Sequence, residues 1–141
     1  MTYWLAPVLV VIATTSYHVS QKLVAPNAHP IVSVIATFSM AALASCCLLP
    51  FFQLEGSFWA EVKKLNFASY AVGFTIVGIE IGVLLMYRSG WNISVGSVFT
   101  YSVITLLLLP IGIFFFKEQF SLTKLAGIVC ALLAVYLLAR K

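Results

Sequence analysis

The chain has 141 residues and four acids, and one of these, Glu80, stands inside an unbroken apolar run. Its setting is Gly78-Ile79-Glu80-Ile81-Gly82, with Arg88 two helical turns further on. At 1.5 Å per helical residue, its carboxyl lies about 12 Å inside the end of that run. A carboxylate turned toward hydrocarbon is costly. Such a group must face a cavity, find a partner or keep its proton. Loss of water favours the neutral form of any carboxyl. An acid that loads and releases a proton can exchange it for a cation or another solute. The structural alternative is an acid that only hydrogen-bonds a neighbouring helix.

A second polar group interrupts the first apolar run: Thr14, Thr15, Ser16, Tyr17, His18, Ser20 and Gln21. Thr14, His18 and Gln21 share one helical face. A later run places Ser94, Ser97, Tyr101 and Thr105 on one of its faces. Counted from the same membrane side, His18 is roughly 10 Å deep and Tyr101 about 13 Å deep. Glu80, His18, Tyr101, Thr14 and Ser97 are therefore the candidate substrate- or proton-binding residues. The other reading of the same residues is an interhelical hydrogen-bond network that only holds a bundle together.

Other chemistry has little to work with. There is no aspartate and there are only two histidines, which argues against an acid/base enzyme site. Cys46, Cys47 and Cys130 all fall in apolar runs and lack metal-ligand spacing, so they read as small packing residues. Neither a metal nor a cofactor is expected.

These side chains need elements that can carry them through lipid. Hydrophobic residues make up 62% of the chain and charged residues 9%, against about 25% charged in a soluble domain. That much apolar surface cannot be hidden in one small core. The expected fold is an all-α membrane protein with five transmembrane helices, over 3–24, 31–52, 67–87, 93–116 and 122–139. A crossing helix needs about 20 apolar residues, so five spans use nearly the whole chain as a single domain. Continuous runs of this length exclude the alternating strands of a barrel. The N-terminal Met1-Thr2-Tyr3-Trp4 lacks the basic region of a signal peptide, so the first span reads as retained. Trp4, Trp59 and Trp91 fall at span ends, where interface anchors belong. Phe58, Trp59, Val62 and Leu65 recur opposite Glu61, Lys63 and Lys64, as in a short helix lying in the interface. Pro110 inside the fourth span predicts a kink, either structural or a hinge. Gly78 and Gly82 form a GxxxG spacing, and Gly127 opens a small-residue face on the fifth span, so both are expected helix-packing positions.

The basic residues lie at span ends, which suits lipid headgroups and not nucleic acid. With five spans, one side receives Lys63, Lys64, Lys117 and Lys124, and the other Lys22, Arg88, Arg140 and Lys141. Lys and Arg bias normally sets orientation, and here the two sides are equal. Copies inserted both ways can then pair as an antiparallel homodimer.

Residues 82–90, Gly-Val-Leu-Leu-Met-Tyr-Arg-Ser-Gly, precede a Ser- and Thr-containing helix and then Phe-Lys-Glu-Gln-Phe-Ser-Leu-Thr-Lys-Leu-Ala-Gly-Ile at 116–128. This stretch resembles the second half of an EamA-type repeat of the drug/metabolite transporter superfamily. Glu118 and Gly127 match the turn acid and the glycine that opens the last helix. Lys22 and the Pro26–Pro30 turn fit the opening of such a repeat. The second span, with Thr37, Phe38 and Ser39, lacks the basic residue that many repeats carry there. The resemblance implies half of an inverted-repeat transporter, completed by homodimerisation around a central cavity. With Glu80 read as the proton carrier, the expected function is export of a small polar metabolite or drug-like cation, coupled to protons. The location implied is multi-pass in a cell membrane, the inner membrane in a bacterium. A reading of another class is a non-transporting membrane subunit that scaffolds or regulates a partner.

Overall fold

The computed structural model describes residues 2–117, 119 and 121–139, so the turn acid Glu118 and the terminal Arg140 and Lys141 lie outside the described residues. Six helices account for most of the rest: α1 (Thr2–Leu23), α2 (Pro30–Leu48), α3 (Phe58–Lys63), α4 (Phe67–Arg88), α5 (Ile93–Phe114) and α6 (Leu122–Ala139). A 3₁₀ turn, Leu49–Phe51, extends α2. The described residues contain no strand.

Local chemistry sets several of these boundaries. Pro30 occupies the first turn of α2, where its missing N–H has no intrahelical partner to lose. Ser57 caps α3 by accepting a 3.3 Å hydrogen bond from the backbone N–H of Ala60. This short helix is tied at its end by Lys64, which donates to Glu61 at 2.7 Å and lies 3.5 Å from Glu55. Helix α4 stops just before Gly90, whose φ of 97° is a left-handed conformation that only glycine adopts without strain. Helix α5 runs through Pro110 to Phe114 without interruption. After it, Lys117 adopts a φ of 52°. A non-glycine residue there is strained by about 1 kcal/mol. Lys117→Gly is expected to stabilise the protein by up to about that amount in thermal unfolding, because the strain is relieved in the folded state.

Three helices are long and apolar enough to cross a membrane: Pro30–Phe51, Phe67–Arg88 and Ile93–Phe114. The protein is thus helical, with membrane-spanning character in these three. The expected first and fifth spans do not meet the same standard. Helix α1 has the length, with 22 residues, but its second half carries Thr14 to Gln21, which lowers its apolarity. In α6 the apolar stretch among the described residues is Leu125–Leu137.

The helices form two compact units, Ser20–Arg88 and Met1–Val19 with Ser89–Lys141. In the Ser20–Arg88 unit, α2 packs on α4. Glu80, Leu84 and Tyr87 form the buried stripe of α4, at helical spacing. In the other unit α5 packs on α6, and Gly96 and Gly112 are the buried positions of α5.

The buried side chains reverse the order of a water-soluble core. Val34, Leu84 and Tyr87 are buried, and so are His18, Gln21 and Glu80. Large apolar side chains such as Phe67, Phe74, Leu107 and Phe114 face outward. In water, apolar surface on that scale marks an interaction or aggregation site. Against lipid it costs nothing, and the buried polar groups supply the specific contacts between helices.

Candidate functional site

Glu80 is the best-protected acid among the described residues, with 5% of its surface exposed. It starts the buried stripe of α4, and the apolar residues around it leave few groups able to pair with it. Its partner comes from the end of α1. The carboxamide of Gln21, 6% exposed, donates from Nε2 to Glu80 Oε1. A carboxylate can only accept, so the amide nitrogen is the atom that must face it. The Gln21 oxygen, Oε1, is also buried and has no hydrogen-bond partner among the described residues.

Two side-chain contacts tie the end of α4 to the end of α1 and the turn that follows it. Lys22 donates from Nζ to the Tyr87 carbonyl at 3.4 Å and lies 5.5 Å from the centre of the Tyr87 ring. Arg88 donates from Nη2 to the Ala25 carbonyl at 3.0 Å. Tyr87 lies in the last turn of α4, where carbonyls lack intrahelical donors and cations are favoured. The Ala25 carbonyl lies in the turn beyond α1 and also accepts from the Ala28 N–H at 3.1 Å. Sequence reasoning sends both cations to headgroups and misses these contacts. The signal was present, since each basic residue falls in the last turn of its helix. Together Gln21, Lys22, Val24, Pro26, Tyr87 and Arg88 line a cavity of about 340 Å³. Gln21 therefore touches Glu80 on one side and this cavity on the other.

The remaining candidates divide between a second pair and isolated positions. In the unit containing α5, His18 Nε2 and Tyr101 OH share a 3.1 Å hydrogen bond, with the rings edge-to-face at 5.7 Å. His18 is 6% exposed, whereas Tyr101 is largely exposed apart from its bonded hydroxyl. Tyr101→Phe removes that hydroxyl and is expected to cost about 1 kcal/mol of stability, read from unfolding in mild detergent. Ser97 turns its hydroxyl to its own helix, donating to the Ile93 and Ser94 carbonyls at 2.8 and 3.2 Å. Thr14 is half-buried one turn before His18 and joins neither pair among the described residues.

The glycines are not brought against another helix. Around Gly78, Gly82 and Gly127, an added Cβ would meet nothing within 4 Å. Gly127 borders a mainly apolar cavity between α5 and α6, lined also by Ser102, Thr105, Leu109 and Ala131. No group of three or more His, Cys, Asp or Glu among the described residues is arranged to hold a metal ion.

No protein-family model, characterised protein or solved structure matches this chain. The chemistry must therefore be read from the geometry. A carboxyl paired to an amide has a property that one paired to a lysine lacks. The amide offers a donor to the ionised acid and, after a half-turn of its carboxamide, an acceptor to the protonated acid. Gln21 can thus satisfy Glu80 in both protonation states.

Proposed function

We propose that this protein is a proton-coupled secondary transporter in which Glu80 carries the proton and Gln21 links it to the solute path. The observation behind this reading is the Gln21 carboxamide, hydrogen-bonded to a buried acid and lining a cavity with Lys22 and Arg88. Ionisable groups in apolar helices usually serve ion and solute paths. A neutral amide can accept from a protonated carboxyl as well as donate to an ionised one, whereas a lysine ammonium can only donate.

The proposed membrane form has five crossings. The 22 residues of α1 reach about 33 Å and the 18 of α6 about 27 Å, close to the hydrocarbon thickness of roughly 30 Å. Five crossings divide the basic residues equally and allow antiparallel pairing. On this reading the chain is one five-helix repeat of the EamA type. The open faces at Gly78, Gly82 and Gly127 are available to a second copy. The solute is a small polar metabolite or drug-like cation, and the setting is a bacterial inner membrane.

Two measurements test this. Vesicles containing the purified protein, loaded with acid and a pH-sensitive dye, are challenged with a panel of small polar solutes. At least one solute is expected to discharge the gradient only when protein is present. A panel without effect, together with a stable complex with another membrane protein, would establish the scaffolding role instead. For topology, a cysteine is added after Lys141 in a chain otherwise freed of cysteine. Impermeant probes applied to each side of sealed cells are expected to label it from both. Labelling from one side alone rejects antiparallel pairing.

A further inference from the structure

We infer that the connector between α2 and α4 docks on the headgroup layer of a phospholipid bilayer, with the apolar side of α3 in the lipid. Lys64 permits this by answering the charge of both acids in the connector. The inference goes beyond the transport reading and does not depend on it.

The ends of the connector fix its height. It leaves one helix able to cross a membrane at Phe51 and enters the next at Phe67, so both ends lie at the hydrocarbon boundary. Every residue from Phe51 to Ala60 is exposed, including Phe51, Phe52 and Phe58, and Trp59 is 72% exposed. The Phe58 and Trp59 rings meet edge-to-face at 5.8 Å. Ser57 starts α3, and a 3.2 Å bond from the Leu65 N–H to the Val62 carbonyl carries its turn past Lys63. Phe58, Trp59, Val62 and Leu65 therefore share one side. Aromatic rings at this height belong to the layer between headgroups and acyl chains, and a short helix apolar on one side lies in that plane. A water-soluble partner would have to cover rings that the two span ends already hold against the bilayer.

Charge decides how the segment meets the phosphates. The connector carries Glu55, Glu61, Lys63 and Lys64, and a bare carboxylate is repelled there. Lys64 Nζ lies 2.7 Å from Glu61 and 3.5 Å from Glu55, so one ammonium answers both acids. Lys63 joins no ion pair among the described residues. It follows Trp59 by one helical turn, where a lysine can extend to a phosphate. The four charges sum to zero. Docking therefore rests on the rings, not on attraction to anionic lipid.

The test uses the full-length protein, freed of its cysteines, in phosphatidylcholine vesicles. Nitroxide labels are placed one at a time at Phe58, Trp59, Ala60, Val62 and Lys63. Oxygen, which concentrates in lipid, is expected to relax the labels at Phe58, Trp59 and Val62 more than a water-soluble nickel chelate does. The chelate is expected to prevail at Ala60 and Lys63. Chelate access at all five positions puts the connector in water and overturns the inference. Exclusion of both reagents at Phe58, Trp59 and Val62 means that a second copy covers the face, which overturns it too. In vesicles rich in phosphatidylglycerol, Lys64→Gln leaves two acids unanswered. It is expected to lower the ratio of oxygen to chelate access at Phe58 about fivefold, the weight of one charge near a membrane surface. Adding Glu55→Gln and Glu61→Gln is expected to restore the ratio. An unchanged ratio in Lys64→Gln overturns the part given to Lys64. Raising the salt is expected to leave the unaltered connector in place, and its release would overturn docking by the rings. The labels in the unaltered charge background decide docking even if Lys64→Gln unwinds α3.

Discussion

Glu80→Gln is expected to leave the protein folded and to reduce proton-driven solute movement in vesicles to background. The replacement keeps the side-chain shape and can still hydrogen-bond the Gln21 carboxamide, so the packing beside Leu84 and Tyr87 is preserved. It removes the carboxyl proposed to carry the proton. If Glu80 merely joined helices, an amide would serve nearly as well, and transport would survive with a stability change within about 1 kcal/mol. Comparing helicity, thermal stability and flux in one preparation separates the two. Retained gradient-driven flux in a folded Glu80→Gln protein removes the carboxyl from the mechanism. Flux down a solute gradient without a pH gradient is expected to be less affected, since it does not need the proton.

The second large effect concerns Gln21. Gln21→Leu leaves the Glu80 carboxyl buried without its donor, and an unsatisfied buried polar group costs about 1–3 kcal/mol. Pairing this change with Glu80→Leu should recover most of that loss, because replacing both partners by apolar groups leaves nothing unsatisfied. The double variant is expected to be close to wild-type stability and inactive in transport. This is a coupling of a size that only directly interacting residues show. Losses that simply add would mean that the two side chains do not depend on each other. A double variant that still moves solute would mean that the pair is structural.

Which parts of this were readable beforehand follows from what each residue signals. Glu80 stood out because an acid in an apolar run has few permitted environments, and the structure buries it against a polar partner. The helix positions were legible from apolar length. Their membrane competence was less so, because α1 mixes a crossing length with a polar half. Gln21 was visible only as one member of a polar cluster. Its pairing with Glu80 joins residues 59 positions apart, and no local pattern encodes that distance. The contacts of Lys22 with Tyr87 and of Arg88 with Ala25 were hidden for the same reason, although the basic last turns of both helices carried half of the signal. At Gly78 and Gly82 no neighbour among the described residues lies within 4 Å of an added Cβ, so the GxxxG face stays open within the chain. Ser97 misled through its own chemistry. In an apolar helix a serine hydroxyl readily bonds the carbonyls of the preceding turn, which takes it out of a site that its position suggests.

The central claim is that Glu80 exchanges its proton with water through the Gln21 cavity while remaining inside the protein. Infrared difference spectroscopy on reconstituted protein labelled with carboxyl-¹³C glutamate reads this directly, using Glu80→Gln to identify the band. The prediction is a protonated-carboxyl band, absent from the variant, that disappears and returns reversibly as the bathing pH is cycled and that shifts when solute binds. A Glu80 band that stays constant across the full pH range in which the protein remains folded, with or without solute, would contradict the account.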